Sequence, residues 1–361
     1  MKLFPFARTV RRIAFSLLPL APGLAPAETT PLDVMATTTL VADVVRFVGA
    51  DAVALHVLIP ADADPHGWTP RPADVARMTR ADVVFVNGLG LEEFLDRVLR
   101  MPEIAARTVS LSEGLTPRRL AGGHAHAPVP EPAAPSRRHA HRHAEPHGHD
   151  AESPSHAQAH GDHGVPANAH GHHDGHDHHG HRHAPGEPDP HVWFNPVHVA
   201  HWARRVEQAL AERRPEQAGD FARRRAAFET DLEALDAWIR AEVAALPEAR
   251  RVLAADHEVF GYFADRYGFR LAGTVIPGLS TLAQPSAREL ARFERRIRDE
   301  RIPAIFVGMS ANPTVARRIA ADVGVPIVRL YTGALSGPDG PASDYAALMR
   351  FNVRAIVEAL R

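Results

Sequence analysis

Cysteine is absent from the chain. That excludes disulfides, thiolate zinc sites and cysteine nucleophiles, and it leaves no lipobox residue to carry a lipid anchor. Lysine is nearly absent as well: Lys2 stands alone among 41 basic residues. With 43 acidic residues the net charge is -2, too little positive field to hold a nucleic acid. Beyond the N-terminal segment, no run of about 18 apolar residues is long enough to span a bilayer as a helix. Several catalytic signatures are missing too. There is no Gly-x-Ser-x-Gly elbow, and Gly88-Leu89-Gly90 lacks the further glycine or the Gly-Lys-Ser/Thr ending of a phosphate loop. His257-Glu258 is followed by Gly261 where a zincin would place its second histidine. The 45% hydrophobic and 23% charged content is that of a chain able to bury a core, which rules out disorder of the whole. Its 361 residues suggest about two domains.

The N-terminus reads as an export signal. Lys2, Arg8, Arg11 and Arg12 precede a short apolar stretch at 13–24, broken by Pro19 and Pro22, and Ala25-Pro26-Ala27 offers a cleavage site. Removing residues 1–27 takes four cations from a net charge of -2 and leaves the mature chain near -6. A soluble, exported, periplasmic protein is expected.

Apolar runs and helical patterns then alternate. Strands are expected at 32–36, 53–59 and 82–87, with helices at 39–49, 72–80 and 91–99. The face of the first helix combines Leu40, Val44, Phe47 and Val48, and Gly49 ends it. Beyond residue 189 come a helix at 196–213 and a long one at 216–246, set between Pro215 and Pro247. Strands at 252–255, 269–276, 304–307 and 326–330 then alternate with helices, one of them opened by the capping box Ser286-x-x-Glu289. Alternation of this kind argues α/β lobes with parallel sheets. The expected organisation is an N-terminal lobe at 28–195, connecting helices at 196–247 and a C-terminal lobe at 248–361.

Histidine is where the composition departs from average. Of 24 histidines, 18 lie between His124 and His183, with Asp150, Asp162, Asp174 and Asp177 among them. The surrounding segment 121–187 is rich in Gly, Pro, Ala and Asp, shows no periodicity, and is expected to be disordered. Imidazoles on such a chain capture zinc, copper or nickel in many exchangeable geometries, because ordering the backbone into one of them costs about 1–2 kcal/mol per residue.

Three isolated histidines are placed differently. His66 lies in Asp64-Pro65-His66, His191 in Asp189-Pro190-His191, and His257 in Asp256-His257. Each is expected where a strand gives way to a loop or helix, the position at which α/β sheets bind ligands. Proline fixes the local backbone and so can hold an imidazole in one direction. Each Asp-His pair reads equally as an orienting carboxylate or as half of a hydrolase triad. His198 and His201 on a helix, and His56 in a strand, read as ordinary surface or core residues.

At these residues the sequence resembles the periplasmic receptors of zinc and manganese ABC importers, the ZnuA/TroA-like solute-binding proteins. The likeness rests on Asp64-Pro65-His66 with Pro70-x-Pro72-x-Asp74, on residues 81–92, on Asp189-Pro190-His191-Val192-Trp193, and on His257-x-x-Phe260-x-Tyr262-Phe263 with Arg266-Tyr267-Gly268. It implies two Rossmann-like lobes joined by one long backbone helix, with a metal in the inter-lobe cleft held by His66, His191 and His257. It further implies a monomeric, non-enzymatic receptor that captures Zn²⁺ as cargo and delivers it to a membrane permease. Many members add a carboxylate ligand near the C-terminus. The matching position here holds Gly333, which leaves the fourth position to water, Glu258 or Asp339. Two other functions fit the same residues: a periplasmic zinc buffer or adhesin-like protein without a transporter, and a zinc hydrolase using three histidines and a water with Asp256 or Glu258 as base.

If the histidine-rich segment collects ions and the three isolated histidines hold one, the two activities are separable. Excising residues 121–187 removes several weak zinc sites in calorimetry and leaves one tight site. Loss of the tight site on excision overturns this division, since the segment would then be donating a ligand.

Overall fold

The computed structural model describes residues 30–120 and 186–361. The export segment 1–27 and all but the last two residues of 121–187 lie outside the described residues. The first lobe comprises β1 (Leu32–Ala36), α1 (Thr39–Gly49), β2 (Val53–Val57), α2 (Pro72–Met78), β3 (Val83–Val86), α3 (Asp96–Leu99), α4 (Pro102–Ala105) and β4 (Thr108–Ser110). Two helices follow, α5 (Pro196–Arg213) and α6 (Ala218–Ala244). The second lobe comprises β5 (Val252–Ala255), α7 (Gly261–Tyr267), β6 (Arg270–Thr274), α8 (Ala287–Asp299), β7 (Ile305–Gly308), α9 (Thr314–Val323), β8 (Ile327–Leu330) and α10 (Tyr345–Leu360).

Each lobe has a four-stranded, all-parallel sheet, ordered β2-β1-β3-β4 in the first and β6-β5-β7-β8 in the second. The second sheet repeats the order of the first, although no repeat is visible in the sequence. In both, the connections that leave the two central strands run to opposite sides of the sheet, so a crevice opens beyond the carboxyl ends of β1 and β3, and of β5 and β7. Buried runs such as Val83–Val86 and Ile305–Gly308, apolar on both faces, are what parallel strands covered by helices require.

Helix α6 is the backbone. Its 27 residues span about 40 Å at 1.5 Å per residue. It packs on α1 and α5 at one end and on α10 at the other. Phe221, Phe228, Leu232, Leu235, Ile239 and Val243 form its buried stripe, and they join a hydrophobic core that also contains residues of β1, β3, β5, β7 and α10. Core residues of both lobes therefore belong to one continuous cluster. Local differences from the sequence pattern have local causes. Pro215 starts a short 3-10 turn, Pro215–Gln217, so α6 begins later than expected. Phe47 is 39% exposed rather than on the core face, and its ring lies 4.7 Å from that of Phe228 on α6. The expected helix at 91–99 shrinks to the turn Glu93–Leu95 and α3. Gly88, Leu89 and Gly90 all take positive φ, and the buried Glu92 carboxylate accepts the Asn87 and Gly88 amides and the Thr37 hydroxyl, so this chain caps a loop instead of starting a helix.

Buried polar links cross between the lobes. The Trp193 indole donates to the Thr332 carbonyl at 3.1 Å, and the Tyr345 hydroxyl to the Trp193 carbonyl at 2.7 Å. The Leu335 amide donates to Thr39 Oγ1 at 2.8 Å, and the Tyr345 amide to Asp43 Oδ2 at 2.9 Å. Desolvation raises the Asp43 carboxyl from 3.8 to about 6, against the Tyr345 amide that favours its charge.

The raised value has a sign consequence. Native Asp43 binds a proton more readily than unfolded Asp43, so stability falls as pH rises from about 4 to 6 and stays lower above that window. Asp43→Asn keeps an acceptor for the Tyr345 amide and removes the buried charge. It is expected to stabilise the protein by on the order of 2 kcal/mol at pH 7.5, with the gain shrinking toward pH 5. Thermal melts of both proteins at the two pH values check this, and equal midpoints at pH 7.5 contradict it.

Candidate metal centre

The two Asp-Pro-His turns fold alike. Asp64 Oδ1 accepts the His66 amide at 3.0 Å, and Asp189 Oδ1 accepts the His191 amide at 3.0 Å. Proline between them sets the backbone angle that lets a carboxylate reach the amide two residues on. Asp256 performs the same service from the adjacent position, accepting the His257 amide at 2.8 Å. Two of these carboxylates also take the ring. Asp189 Oδ1 lies 2.9 Å from His191 Nδ1, and Asp256 Oδ1 lies 2.8 Å from His257 Nδ1. A carboxylate on Nδ1 fixes the tautomer that carries its proton there and leaves the Nε2 lone pair directed forward.

The three rings meet in the cleft. Ring centroids are 5.4 Å apart for His66 and His191, 5.6 Å for His66 and His257, and 5.3 Å for His191 and His257. His66 Nε2 and His191 Nε2 are 3.3 Å apart, and one nitrogen from each of the three rings lies within 4.8 Å of the others. His191 and His257 are buried at 1% and 2% exposure, while His66 is partly open. The cavity they share is closed by Asp64, Pro65, Thr281, Ser310, Ala311, Thr332 and Gly333. Its volume of about 10 Å³ is room for roughly one water-sized sphere. A wider cleft of about 520 Å³ shares His66 in its wall, together with Trp68, Phe94, Pro190, Leu279 and Leu282.

His257 lies at the crevice between β5 and β7, as the sequence suggested. Asp256 Oδ2 reaches across to accept the amide of Gly308, the last residue of β7, at 2.8 Å. His66 and His191 are not at strand ends in the strict sense. His66 sits nine residues beyond the end of β2, and His191 follows a short antiparallel contact between Arg119 and Pro188. The β1–β3 crevice still positions His191, because Asn87 just beyond β3 donates to the Pro190 carbonyl at 3.1 Å. A further carboxylate link, from the Thr281 hydroxyl to Asp64 Oδ2 at 2.6 Å, ties the His66 turn to the second lobe. Asn87 and Thr281 carry no sequence signal of their own, since their roles depend on contacts 103 and 217 residues away.

Among the described residues, no carboxylate joins the three imidazoles. Asp339 is exposed, and Glu258 is outside the cluster. Glu258 is pushed up by burial and by the charge of Asp189. Gly333 has a steric reason to be glycine: a Cβ there would stand 2.7 Å from Pro65 Cδ and 2.9 Å from Pro65 Cγ. His198 and His201 stay apart, His198 with its ring 5.1 Å from that of Tyr262 and His201 bound to the Glu113 carbonyl at 2.8 Å. His56 pairs with Arg77 at 2.9 Å.

The electrostatics suit a cation. Burial pushes the Asp189 carboxyl up to about 7, against the His191 amide and the charge of Arg118. Asp256 goes the other way. Burial raises it, but the neighbouring His257 and the Gly308 amide outweigh burial and bring it below the ordinary carboxylate range. Burial likewise opposes charge on His257, and Asp256 overcomes it and raises the imidazole. Both directions are those of mutual attraction between Asp256 and His257. Both oxygens of Asp256 are engaged, by His257 and by Gly308, so the residue serves to orient its histidine.

Comparison with known proteins identifies the family and the fold. Residues 34–359 match the family model "ZnuA: Zinc-uptake complex component A periplasmic". The chain is 26% identical over 343 residues to the zinc-binding protein TroA of Treponema pallidum, covering 93% of this chain and 91% of that protein. It is 24% identical over 336 residues to the manganese-binding lipoprotein MntA of Bacillus subtilis, covering 91% of this chain and 90% of that one. The solved structure of the periplasmic zinc-binding protein TroA from Treponema pallidum superimposes with a TM-score of 0.69 at 25% identity, over 92% of this chain and 99% of that chain.

The crowding at Gly333 generates a test. Gly333→Asp supplies the missing carboxylate on paper, but its Cβ displaces Pro65 and with it the His66 turn. Overpacking of this kind costs about 1–3 kcal/mol. The variant is expected to bind divalent metal roughly tenfold more weakly or worse, and to melt earlier, as read by chelator competition and a thermal scan. Tighter binding in the variant contradicts the steric reading.

Proposed function

We propose a function from one premise: this chain belongs to the ZnuA family, the periplasmic component A of zinc-uptake complexes, whose members are metal-binding receptors of ABC transporters and not enzymes. Within that family the protein is a zinc receptor. It captures Zn²⁺ through His66, His191 and His257 and hands the ion to a membrane permease.

The observation that carries this reading is the donor set: three imidazole nitrogens, no carboxylate among the described residues, and space for one ion. Zinc favours four-coordinate sites with nitrogen donors, and three imidazoles plus a water satisfy it. Manganese prefers more oxygen and stands at the weak end of the affinity series. Copper and nickel bind imidazole as well, so discrimination against them rests on geometry and on which ions reach the site. The TroA relative is named for zinc and the MntA relative for manganese, and the all-imidazole cluster favours zinc here. Export by a cleaved signal places the receptor in the periplasm, since no cysteine is present to carry a lipid. We read it as working as a monomer.

Replacing His66, His191 or His257 by alanine is expected to weaken zinc binding at least 100-fold in each case, in chelator competition. Manganese should bind the wild type far more weakly than zinc. Binding should fall off as pH drops below about 6.5, because each ligand must give up its proton. The upward push of Asp256 on His257 makes that competition begin at a higher pH than for a free imidazole. Wild-type affinity in His257→Ala, or affinity flat from pH 7.5 to 5.5, overturns the three-histidine assignment.

A further inference from the structure

At the foot of the histidine-rich insertion the chain returns on itself. The Leu120 amide donates to the Glu187 carbonyl at 3.0 Å, the Gly186 amide to the Leu120 carbonyl at 3.1 Å, and the Asp189 amide to the Arg118 carbonyl at 2.7 Å. Gly186 and Glu187, which composition grouped with the insertion, thus belong to this paired stem. Arg118 and Asp189 face each other at its base, and Asp189 is the carboxylate that aims His191.

Helix α7 of the second lobe closes on this pair. The Arg118 amide donates to the Tyr262 hydroxyl at 2.9 Å, and that hydroxyl donates to the Asp189 carbonyl at 2.8 Å. Arg118 Nε donates to Asp265 Oδ2 at 2.8 Å, while Nη1 lies 4.0 Å from Asp189 Oδ2. Gly261 provides the slot. A Cβ on it would stand 2.5 Å from Arg118 Nη1 and 2.7 Å from Asp189 Oδ2. Gly261 and Tyr262, both buried, and the exposed Asp265 one turn on lie on α7, a few residues beyond His257.

We infer that Arg118 is a positioning residue for metal capture: it couples helix α7 of the second lobe to the Asp189 carboxylate, so that apposition of the lobes fixes the direction of the His191 imidazole. The two ends of the guanidinium are unequal. Asp265 is 63% exposed, and an ion pair in water contributes little to stability. Asp189 is buried at 1% exposure, where a carboxylate needs a facing cation to stay in place. The exposed bond orients the guanidinium, and the buried end holds the carboxylate whose other oxygen carries the ring. A receptor has to keep its ion and later give it up, and this contact ties the tilt of one lobe to the aim of one ligand.

The inference rests on the reading that His66, His191 and His257 hold the metal, so the test separates the two. Full-length exported protein is loaded with zinc alone, or with cobalt(II) alone as a spectroscopic probe. Arg118→Met is expected to lose zinc to a chelator about tenfold faster than wild type, in line with the cost of removing groups that orient metal ligands. It should also change the visible absorption of the cobalt form, which reports ligand geometry. Arg118→Lys restores charge without the planar fork and should recover part of both. Gly261→Ala pushes on the same pair from the other side and should act in the same direction. If Arg118→Met and Gly261→Ala fold with wild-type stripping rates and cobalt spectra, Arg118 is only a strut between the lobes and the inference falls. If Arg118→Met fails to fold, the Lys and Gly261 variants decide. His257→Ala runs alongside: should it keep zinc as tightly as wild type, the three-histidine reading has failed, whereas loss of zinc there with none in the Arg118 variants defeats only the positioning role.

Discussion

Imidazoles from three separate turns can converge on one point only if their rings are held with a chosen nitrogen forward, and for two of the three a buried carboxylate does the holding. Asp189 and Asp256 each bind the backbone amide and the ring Nδ1 of the histidine they serve. A carboxylate in that position removes two freedoms at once, rotation of the side chain and choice of tautomer. One nitrogen of each of the three rings lies within 4.8 Å of the others. Further hydrogen bonds hold the turns that carry the three histidines. The Gly308 amide holds Asp256, Asn87 holds the Pro190 carbonyl, and the Thr281 hydroxyl holds Asp64.

The fold supplies a rigid frame for this arrangement. Ligands from two lobes are precise only if the lobes keep their distance from one another, and the shared core along α6 discourages large swings. The buried bonds from Trp193 to Thr332 and from Tyr345 to Trp193 add direct ties beside the cleft. The cavity of about 10 Å³ contrasts with the adjoining cleft of about 520 Å³, and the partly open His66 stands between them.

Steric crowding also shapes the ligand set. The C-terminal segment that brings Gly333 to the cleft packs against Pro65, so the turn that fixes His66 occupies the space a side chain at 333 would need. Proline therefore acts twice, setting the backbone of the His66 turn and filling the space beside residue 333. Among the described residues the cluster there is all imidazole.

The alternation of apolar runs and helical patterns, the capping box at Ser286, and the existence of one long helix after Pro215 were all readable from residue order, because strands, caps and helix faces depend on neighbours a few positions apart. The repeated Asp-Pro-His marked its histidines for the same reason: the amide and its carboxylate are two residues apart. The expected helix at 91–99 missed that Glu92 would cap a loop there and delay the next helix, because that depends on the positive φ of Gly88 and Gly90 and on bonds to Asn87 and Thr37. Only the tertiary structure decided the rest. The identical strand order of the two sheets, the slot at Gly261, the meeting of Arg118 with Asp189 and α7, and the collision that forbids a side chain at 333 all join residues far apart in the chain. Local sequence fixes which way a side chain leaves its own backbone, whereas which other backbone stands opposite depends on how the lobes pack.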